Sequence, residues 1–355
     1  MGSDFNTFSM YGGRRRCNVA DNGTINAFYG EEEYTEDGSN GQVMVYQPKF
    51  YYQRITLRNS RLTRGTVINK ERLYLSDKEQ SGFKLHPLFI NSEGEELEYV
   101  LIPAYEGSLA NNKLQSIAGV QPASYLNPLS GEAAANARGT GWHMTTMQVE
   151  SALQMLQMVE YGSLNSQASL ARGICDLERV ESNISCKTGS TSTLGNASGE
   201  AESSTSINNG EETTYSVSGK RAISYRGTEN PWGNIWHTIG NMLIHGEGGA
   251  GGGIPYICTN YNYSSNLTSD YVSVGFTMPG STGWISAMAQ CPDEFDWIFL
   301  PMECASNANS AAPVGDNIWV LNYLYGTKMI AVGGNWRHGD SEGMLFYACD
   351  QDSNA

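Results

Sequence analysis

The chain has 355 residues, of which 40% are hydrophobic and 17% charged, and its 37 acidic and 22 basic side chains give a formal net charge of -15. This length and apolar content suffice for one large domain or two ordinary ones with a core of their own. The negative charge repels phosphate backbones and anionic membranes, and no apolar run approaches the ~18 residues of a membrane-spanning helix, so we expect neither nucleic-acid binding nor membrane insertion.

Turn-forming residues dominate the start of the chain. Residues 1–42 carry a turn signal every few positions, which predicts an N-terminal arm with small hairpins. The basic triplet Arg14 to Arg16 is too short for a phosphate-binding patch, so we expect local ion pairs or a contact with a neighbouring chain. The residues from Met1 to Ser3 resemble the remnant of an expression tag and not the start of a signal peptide, so we expect synthesis in the cytoplasm.

The 40 glycines and 20 tyrosines are typical of a loop-rich α+β protein with many short strands and few helices. Period-two or apolar runs bounded by turn residues predict the strands. They lie at 43–52, 72–75, 98–105, 271–276, 297–300, 318–321, 329–332 and 345–348.

One helix is well supported by periodicity. Apolar residues at near-helical spacing predict it over 146–161, capped by Thr145 or Thr146, ended by Gly162 and packed with one face on a sheet. A weaker helical pattern covers 110–118.

The segment 182–220 changes sharply to Ser, Thr, Gly, Asn and Glu, with little apolar surface to bury. We therefore expect a polar surface insertion that tolerates substitution and is cut first in limited proteolysis. A disulfide between Cys175 and Cys186 across its base is an open alternative.

Sequence motifs for catalysis and metal binding are lacking. The seven cysteines contain no C-x-x-C pair and the five histidines are scattered, so we expect mostly free thiols, no metal site and no cofactor. No G-x-S-x-G, H-E-x-x-H or S-x-x-K motif is present, so we assign no catalytic residues.

The stretch 332–350 has the most unusual composition. A Gly-Gly-Asn-Trp frame precedes charged and polar side chains that follow no helical period, while aromatic residues on either side can anchor to a core. This mixture indicates a binding loop on a scaffold, and an ordinary polar hairpin is the alternative.

Two motifs carry a family resemblance. Gly-Asn-Ile-Trp at 233–236 and Gly-Gly-Asn-Trp at 333–336 are similar, in this order, to framework signatures of C-type lectin-fold proteins of the formylglycine-generating-enzyme type. With the helix ending at Gly162 and the elements at 48–52, 82–87 and 104–107, the chain most resembles the variable proteins of diversity-generating retroelements in gut bacteriophages and bacteria. The resemblance covers roughly Val43 to the C-terminus.

The resemblance implies a C-type lectin-like domain over 43–355 whose variable region, at 317–353, displays ligand-binding residues. Asparagine codons altered at adenines can yield Arg, His, Asp, Ser, Tyr, Cys or Ala, all of which occur there, whereas Glu342, Met344 and Gln351 depart from this pattern. We expect the ligand-binding side chains to share one exposed face; they are Trp319, Tyr323, Tyr325, Arg337, His338, Asp340, Glu342, Tyr347 and Asp350. The expected framework residues are Trp232, Gly233, Asn234, Trp236, Gly333, Gly334 and Trp336.

Three functions follow as hypotheses. The first is a non-enzymatic receptor-binding or tail-associated protein of a phage, located on the virion or a bacterial surface. Its partner would be a bacterial surface protein or glycan, with other virion tail proteins and a homo-oligomer left open. The second is a formylglycine-generating-type oxidoreductase that uses a cysteine. The third is a purely structural virion protein.

Overall fold

The computed structural model describes residues 2–352, apart from 125, 179–184, 209, 250, 308, 310, 311 and 322. Parts of the predicted insertion (182–184, 209) and of the predicted variable region (322, 353) therefore lie outside the described residues. The architecture is mixed α+β, rich in mostly antiparallel strands and poor in helices.

The helices are α1 (Gly2–Phe5), α2 (Ser9–Gly12), α3 (Pro128–Asn136), α4 (Met147–Tyr161) and α5 (Ser166–Ser169), with short 3-10 helices at Pro87–Phe89, Ser192–Leu194, Thr268–Asp270, Asp293–Phe295 and Gly339–Ser341. The strands in the first half are β1 (Arg15–Val19), β2 (Ile25–Phe28), β3 (Gln42–Pro48), β4 (Tyr51–Leu62), β5 (Gly65–Ser76), β6 (Lys84–Leu85), β7 (Tyr99–Pro103), β8 (Ser108–Ala110) and β9 (Lys113–Gln115). Those in the second half are β10 (Gly199–Glu200), β11 (Ser204–Asn208), β12 (Glu211–Tyr215), β13 (Ile223–Tyr225), β14 (Thr228–Glu229), β15 (His237–Glu247), β16 (Ile254–Ile257), β17 (Val272–Ser273), β18 (Gly283–Ala289), β19 (Pro301–Ala305), β20 (Asn317–Val320), β21 (Tyr325–Val332) and β22 (Tyr347–Cys349).

The large sheet has the order β17-β16-β15-β21-β22-β20-β18-β5-β4-β6, with β19 also paired to β18. Its centre confirms the strands predicted near the C-terminus, because β20, β21 and β22 coincide with them. β22 pairs parallel to β20 and antiparallel to β21. The predicted strand at 297–300 is wrong, since β19 begins only at Pro301.

The predicted N-terminal arm is part of the folded body. β1 lies between β2 and β3 in the sheet β2-β1-β3-β7, with Cys17 opposite Met44. The β1–β2 hairpin agrees with the expected small hairpin. The boundary at residue 42 is not visible as a structural break, because β3 begins at that residue and completes the sheet.

Helix α4 confirms the predicted helix, and Gly162 ends it in the left-handed conformation with φ 61°. Thr146 occupies the N-cap position without a side-chain hydrogen bond, and the Met147 amide donates instead to Asn241 Oδ1 at 2.8 Å. The helix packs on β5 and β15 of the large sheet, as expected. Its burial extends beyond that face to polar residues such as Gln154, whose Nε2 donates to the Met344 carbonyl oxygen. Among the described residues, no helix combines the length and apolar character needed to cross a membrane.

The weak helix predicted over 110–118 is a β-hairpin, formed by β8 and β9. Asn111 and Asn112 connect the strands with φ of 50° and 60°. Two successive left-handed residues match the twist of a tight hairpin, and asparagine tolerates this conformation better than most side chains. The Asn-Asn pair was therefore the stronger signal, and it overrode the apolar spacing.

The described part of the 182–220 segment is more ordered than its composition predicts. It forms β10, the β11–β12 hairpin and a short 3-10 helix. Cys186, Ala201 and Tyr215 are buried, and they belong to a small core with Ile174 and Leu177. Hydrogen bonds also hold the segment in place, and an argument from apolar composition does not take them into account. No disulfide joins Cys175 to Cys186.

His86 gives the fold a dependence on pH. It is fully buried, its Nδ1 accepts from the Leu88 amide at 3.2 Å, and its Nε2 lies 3.3 Å from Ser151 Oγ, which donates to the Trp297 carbonyl oxygen. Burial lowers the pKa of His86 to about 3, so the folded state holds this imidazole neutral.

We expect His86 to contribute a loss of about 2 kcal/mol in the free energy of unfolding between pH 7 and pH 5, because the unfolded chain binds a proton below pH ~6.5 that the folded chain excludes until about pH 3. Urea unfolding of the wild type and of His86→Gln at both pH values isolates this contribution. His86→Gln should be less stable at pH 7 but show a smaller loss on acidification; an unchanged loss would contradict the assignment to His86.

Candidate functional site

A cavity of about 1020 Å³ lies between the four-stranded sheet β2-β1-β3-β7, called the small sheet from here on, the first turns of α4 and the start of β15. Apolar side chains from Met44, Ile102 and Leu153 line part of it. The charged and titratable side chains that line it come from distant parts of the chain; they include Glu106, Glu150, Glu229, Arg138, His143 and His237. Large cavities with a few convergent polar groups are the usual form of ligand sites.

Glu106 has one satisfied and one unsatisfied oxygen. Its Oε2 accepts hydrogen bonds from Asn234 Nδ2 at 2.6 Å and from Asn230 Nδ2 at 3.3 Å. Its Oε1 is buried, has no hydrogen-bond partner among the described residues, and lies 3.6 Å from His237 Nε2. A buried carboxylate oxygen without a donor is costly, which makes this atom a candidate for contact with a ligand.

The Gly-Asn-Ile-Trp motif explains how Glu106 is held. Gly233 has φ 80°, and a Cβ there would lie 2.7 Å from the Ile174 carbonyl oxygen. Asn234 is also left-handed, with φ 61°; besides Glu106, it binds the Cys186 backbone at both its amide and its carbonyl group. The motif therefore fixes the Glu106 carboxylate and ties the 182–220 segment to the cavity wall.

Glu150 and His237 complete the acidic part of the cavity. Glu150 projects from the first turn of α4 and is 5% exposed. Its carboxyl group interacts electrostatically with His237. Burial raises the pKa of Glu150 above its usual range. The pKa of His237 is raised because Glu106 and Glu150 together outweigh the effect of burial.

Two further ionisable pairs border the cavity. His143 Nδ1 lies 2.6 Å from Glu132 Oε1, and Arg138 forms an ion pair with Asp21. These side chains are paired, in contrast to Glu106 Oε1. Carboxylates with different environments beside a histidine can hold a hydrogen-bond donor or a cation, and they can exchange a proton with a bound molecule.

The end of β21 brings the predicted variable segment to this cavity. Asn335, Trp336 and Arg337 line it, as does Trp236 from the first motif. Arg337 is exposed, whereas Trp336 is half-buried against the small core around Ile174. Two aromatic rings and one exposed cation therefore stand beside the acidic groups.

Several predicted ligand-binding residues are buried, which corrects the sequence analysis. Tyr347 is 0% exposed and its hydroxyl group donates to the Phe299 carbonyl oxygen. Glu342 is also 0% exposed and lies beneath Gly334, where a Cβ would come within 1.8 Å of its Oε2. Lack of a hydrophobic period did not imply exposure, because the sheet and the Gly-Gly turn enclose this segment from several sides.

His338 is packed rather than displayed. Its ring lies 4.4 Å from that of Trp319, centroid to centroid, and its Nδ1 is 2.9 Å from Glu342 Oε1, at an angle unsuited to a hydrogen bond. Burial, with a contribution from Arg337, lowers the pKa of His338 to about 4, so the imidazole is neutral at pH 7. Trp319 and Asp350 are half-buried, and Asp340 is exposed.

The predicted tyrosines are exposed but lie elsewhere. Tyr323 and Tyr325 are 67% and 77% exposed, at the start of β21. Arg337 lies beyond the other end of β21. The eight residues of this strand, at ~3.3 Å per residue, place its two ends about 23 Å apart. The single exposed face expected for all of these residues is therefore not formed.

The predicted framework residues have structural environments of different kinds. Trp232 is fully buried and its Nε1 donates to the Arg172 carbonyl oxygen at 3.1 Å. Trp236 and Trp336 are half-buried and line the cavity. Gly333 and Gly334 have φ of 82° and 79°, so both positions favour glycine.

Sequence reasoning missed Glu106, Glu150 and His237. They lie more than 40 residues apart from one another, and acidic residues are abundant in the chain. Glu150 looks like part of a solvated helix face. A usable signal was that Glu106 lies in the Ala-Tyr-Glu-Gly motif and that His237 directly follows Gly-Asn-Ile-Trp.

Most of the thiols are buried, and the described residues form no group of metal ligands. Of the seven cysteines only Cys304 is partly exposed, and none lines the cavity. Burial raises the pKa of Cys291 to about 12, so its thiol is protonated at neutral pH. Within the described ranges, no three His, Cys, Asp or Glu side chains are grouped to hold a metal ion.

No protein-family model matches the chain, and no curated protein matches it.

Proposed function

We propose that the chain is a ligand-binding protein of C-type lectin-like fold, attached to a phage tail, whose cavity and C-terminal segment recognise a receptor on a bacterial surface. The observation that carries the proposal is that Asn335, Trp336 and Arg337, which follow the second framework motif, line the large cavity together with Trp236 from the first. A rigid frame with aromatic anchors and an adaptable polar rim is the composition that recognition surfaces use.

The oxidoreductase hypothesis receives less support. It needs an accessible, readily ionised cysteine, whereas the buried thiols of Cys175, Cys291 and Cys349 have raised pKa values. The structural-virion hypothesis does not account for an unsatisfied buried carboxylate in a large cavity. Recognition therefore remains the function that we propose.

We expect Arg337→Glu to weaken attachment of the purified protein to host bacteria at least ~10-fold, because charge reversal at the cavity rim removes a contact of the kind that dominates interfaces. Cell-binding titrations over a panel of gut bacterial isolates measure this change. The melting temperature should stay within a degree or two, since Arg337 is exposed.

Glu247→Lys is the matched control, because it also reverses an exposed charge, with 92% of its side chain accessible, away from the cavity. Attachment should be unaffected. Equal attachment by wild type and Arg337→Glu, at equal stability, would remove the support for a recognition role at the rim. Sequencing of the neighbouring DNA for a reverse transcriptase and a near-repeat of the 317–353 coding region tests the proposed diversification.

A further inference from the structure

The two acidic groups around His237 share this imidazole as their one cationic partner, and the described chain gives them no second one. The Glu106 side chain is 4% exposed, and its unsatisfied Oε1 faces His237 Nε2 across 3.6 Å, which is too long for a hydrogen bond. Glu150 is similarly buried and interacts with the same histidine. When both buried carboxyl groups are ionised, one imidazolium cannot neutralise them both, so a second cationic partner is missing.

The remaining charged groups of the cavity do not supply that partner. Arg138 is held by Asp21 and by the Leu114 carbonyl oxygen. Arg337 lies at the exposed rim. Glu229 adds a third carboxyl group, bound by the Thr191 amide and hydroxyl groups and by the Gly189 amide. His143 is paired with Glu132.

We propose that the cavity binds an organic cation, an ammonium or guanidinium group, between the carboxylates of Glu106 and Glu150. Such a group donates several hydrogen bonds and can therefore supply the donor that Glu106 Oε1 lacks. The rings of Trp142, Trp236 and Trp336 also line the cavity, and aromatic faces attract cations. The proposal rests on the proposed function in taking the cavity as the ligand site, and it adds the class of ligand.

The cation could be a free small amine or the side chain of a lysine or arginine in a receptor protein. Both present the same group to the carboxylates. Titration calorimetry with n-butylammonium, n-butylguanidinium and a short lysine-containing peptide separates these sources, with n-butanol and methyl glucoside as neutral probes of similar size.

We expect the wild-type protein to bind the cationic probes and not the neutral ones, and Glu106→Gln and Glu150→Gln each to weaken cation binding at least ~10-fold. Glu247→Gln is the control and should bind as the wild type does. If Glu106→Gln fails to fold, Glu150→Gln alone tests the proposal. It should fold, because no protein hydrogen bond of the described chain depends on the Glu150 carboxylate. Cation affinity of the wild type should also rise with pH as Glu150 ionises and His237 loses its proton.

The outcomes separate the two proposals. Binding of neutral but not cationic probes, or equal cation binding by wild type and both variants, overturns the cation inference and leaves the recognition function standing. Cation binding that depends on both carboxylates, with host attachment unaffected by Arg337→Glu, supports the cation site and overturns the role given to the rim. Absence of binding by any probe overturns the cation inference, and the attachment assay then decides on the recognition function alone.

Discussion

Replacement of Arg16 by alanine is expected to lower the free energy of unfolding by about 3–5 kcal/mol, the range for breaking a buried charged network. Arg16 is 0% exposed; its Nε donates to the Gly227 carbonyl oxygen, its Nη1 to Tyr105 Oη, and its Nη2 to Thr191 Oγ1, each at 2.9 Å. Alanine would leave all three acceptors buried without a donor. Urea unfolding of the purified variant measures the loss.

Arg15 offers a matched control on the same strand. Its side chain is exposed, with the guanidinium group 3.8 Å from the ring centroid of Phe28. Arg15→Ala should therefore change the free energy of unfolding by less than about 1 kcal/mol. Arg16→Met keeps much of the apolar stem and should still be strongly destabilised, because the lost hydrogen bonds dominate. Equal losses for Arg15→Ala and Arg16→Ala would show that the buried network adds nothing to stability.

Replacement of Trp232 by alanine is expected to lower the free energy of unfolding by about 3–5 kcal/mol as well, from the cavity left in a close-packed core. Trp232 is fully buried, and Gly173 leaves room for its ring: a Cβ at Gly173 would lie 3.2 Å from Trp232 Cδ1. The indole Nε1 also loses its bond to the Arg172 carbonyl oxygen. Thermal and urea melts provide the measurement.

Trp336→Ala is the comparison. Its ring is half-buried, so less apolar surface is lost and we expect a loss of about 1–2 kcal/mol, below the loss at Trp232. A Trp232→Ala melting temperature within a degree or two of wild type would contradict the central role of this side chain.

The basic triplet Arg14 to Arg16 shows where sequence reasoning falls short. Its composition predicts local ion pairs, and Arg16 does pair with Glu36, but the burial of Arg14 and Arg16 was not predicted. The strand alternates, so Arg15 faces solvent while Arg14 and Arg16 point inward. Apart from Glu36, 20 positions away, the acceptors for Arg16 lie 89 to 211 positions away. Local composition cannot reveal partners at such separations.

Features with a local cause were predictable from the sequence. Periodicity and a terminal glycine were sufficient for α4, and alternating apolar runs for β20, β21 and β22. The Gly-Asn and Gly-Gly dipeptides marked the left-handed turns at 233–234 and 333–334. Each of these follows from backbone sterics or from a repeat of a few residues.

Tertiary structure alone decided which side chains meet and which are exposed. Glu106, Glu150 and His237 converge because the small sheet, α4 and β15 pack around one cavity. Tyr347 and Glu342 are enclosed for a similar reason, whereas Tyr323 and Tyr325 remain exposed at the far end of β21. Burial is a sum over neighbours from the whole chain, so the pattern of one segment does not fix it, and the unsatisfied oxygen of Glu106 becomes visible only when those neighbours are in place.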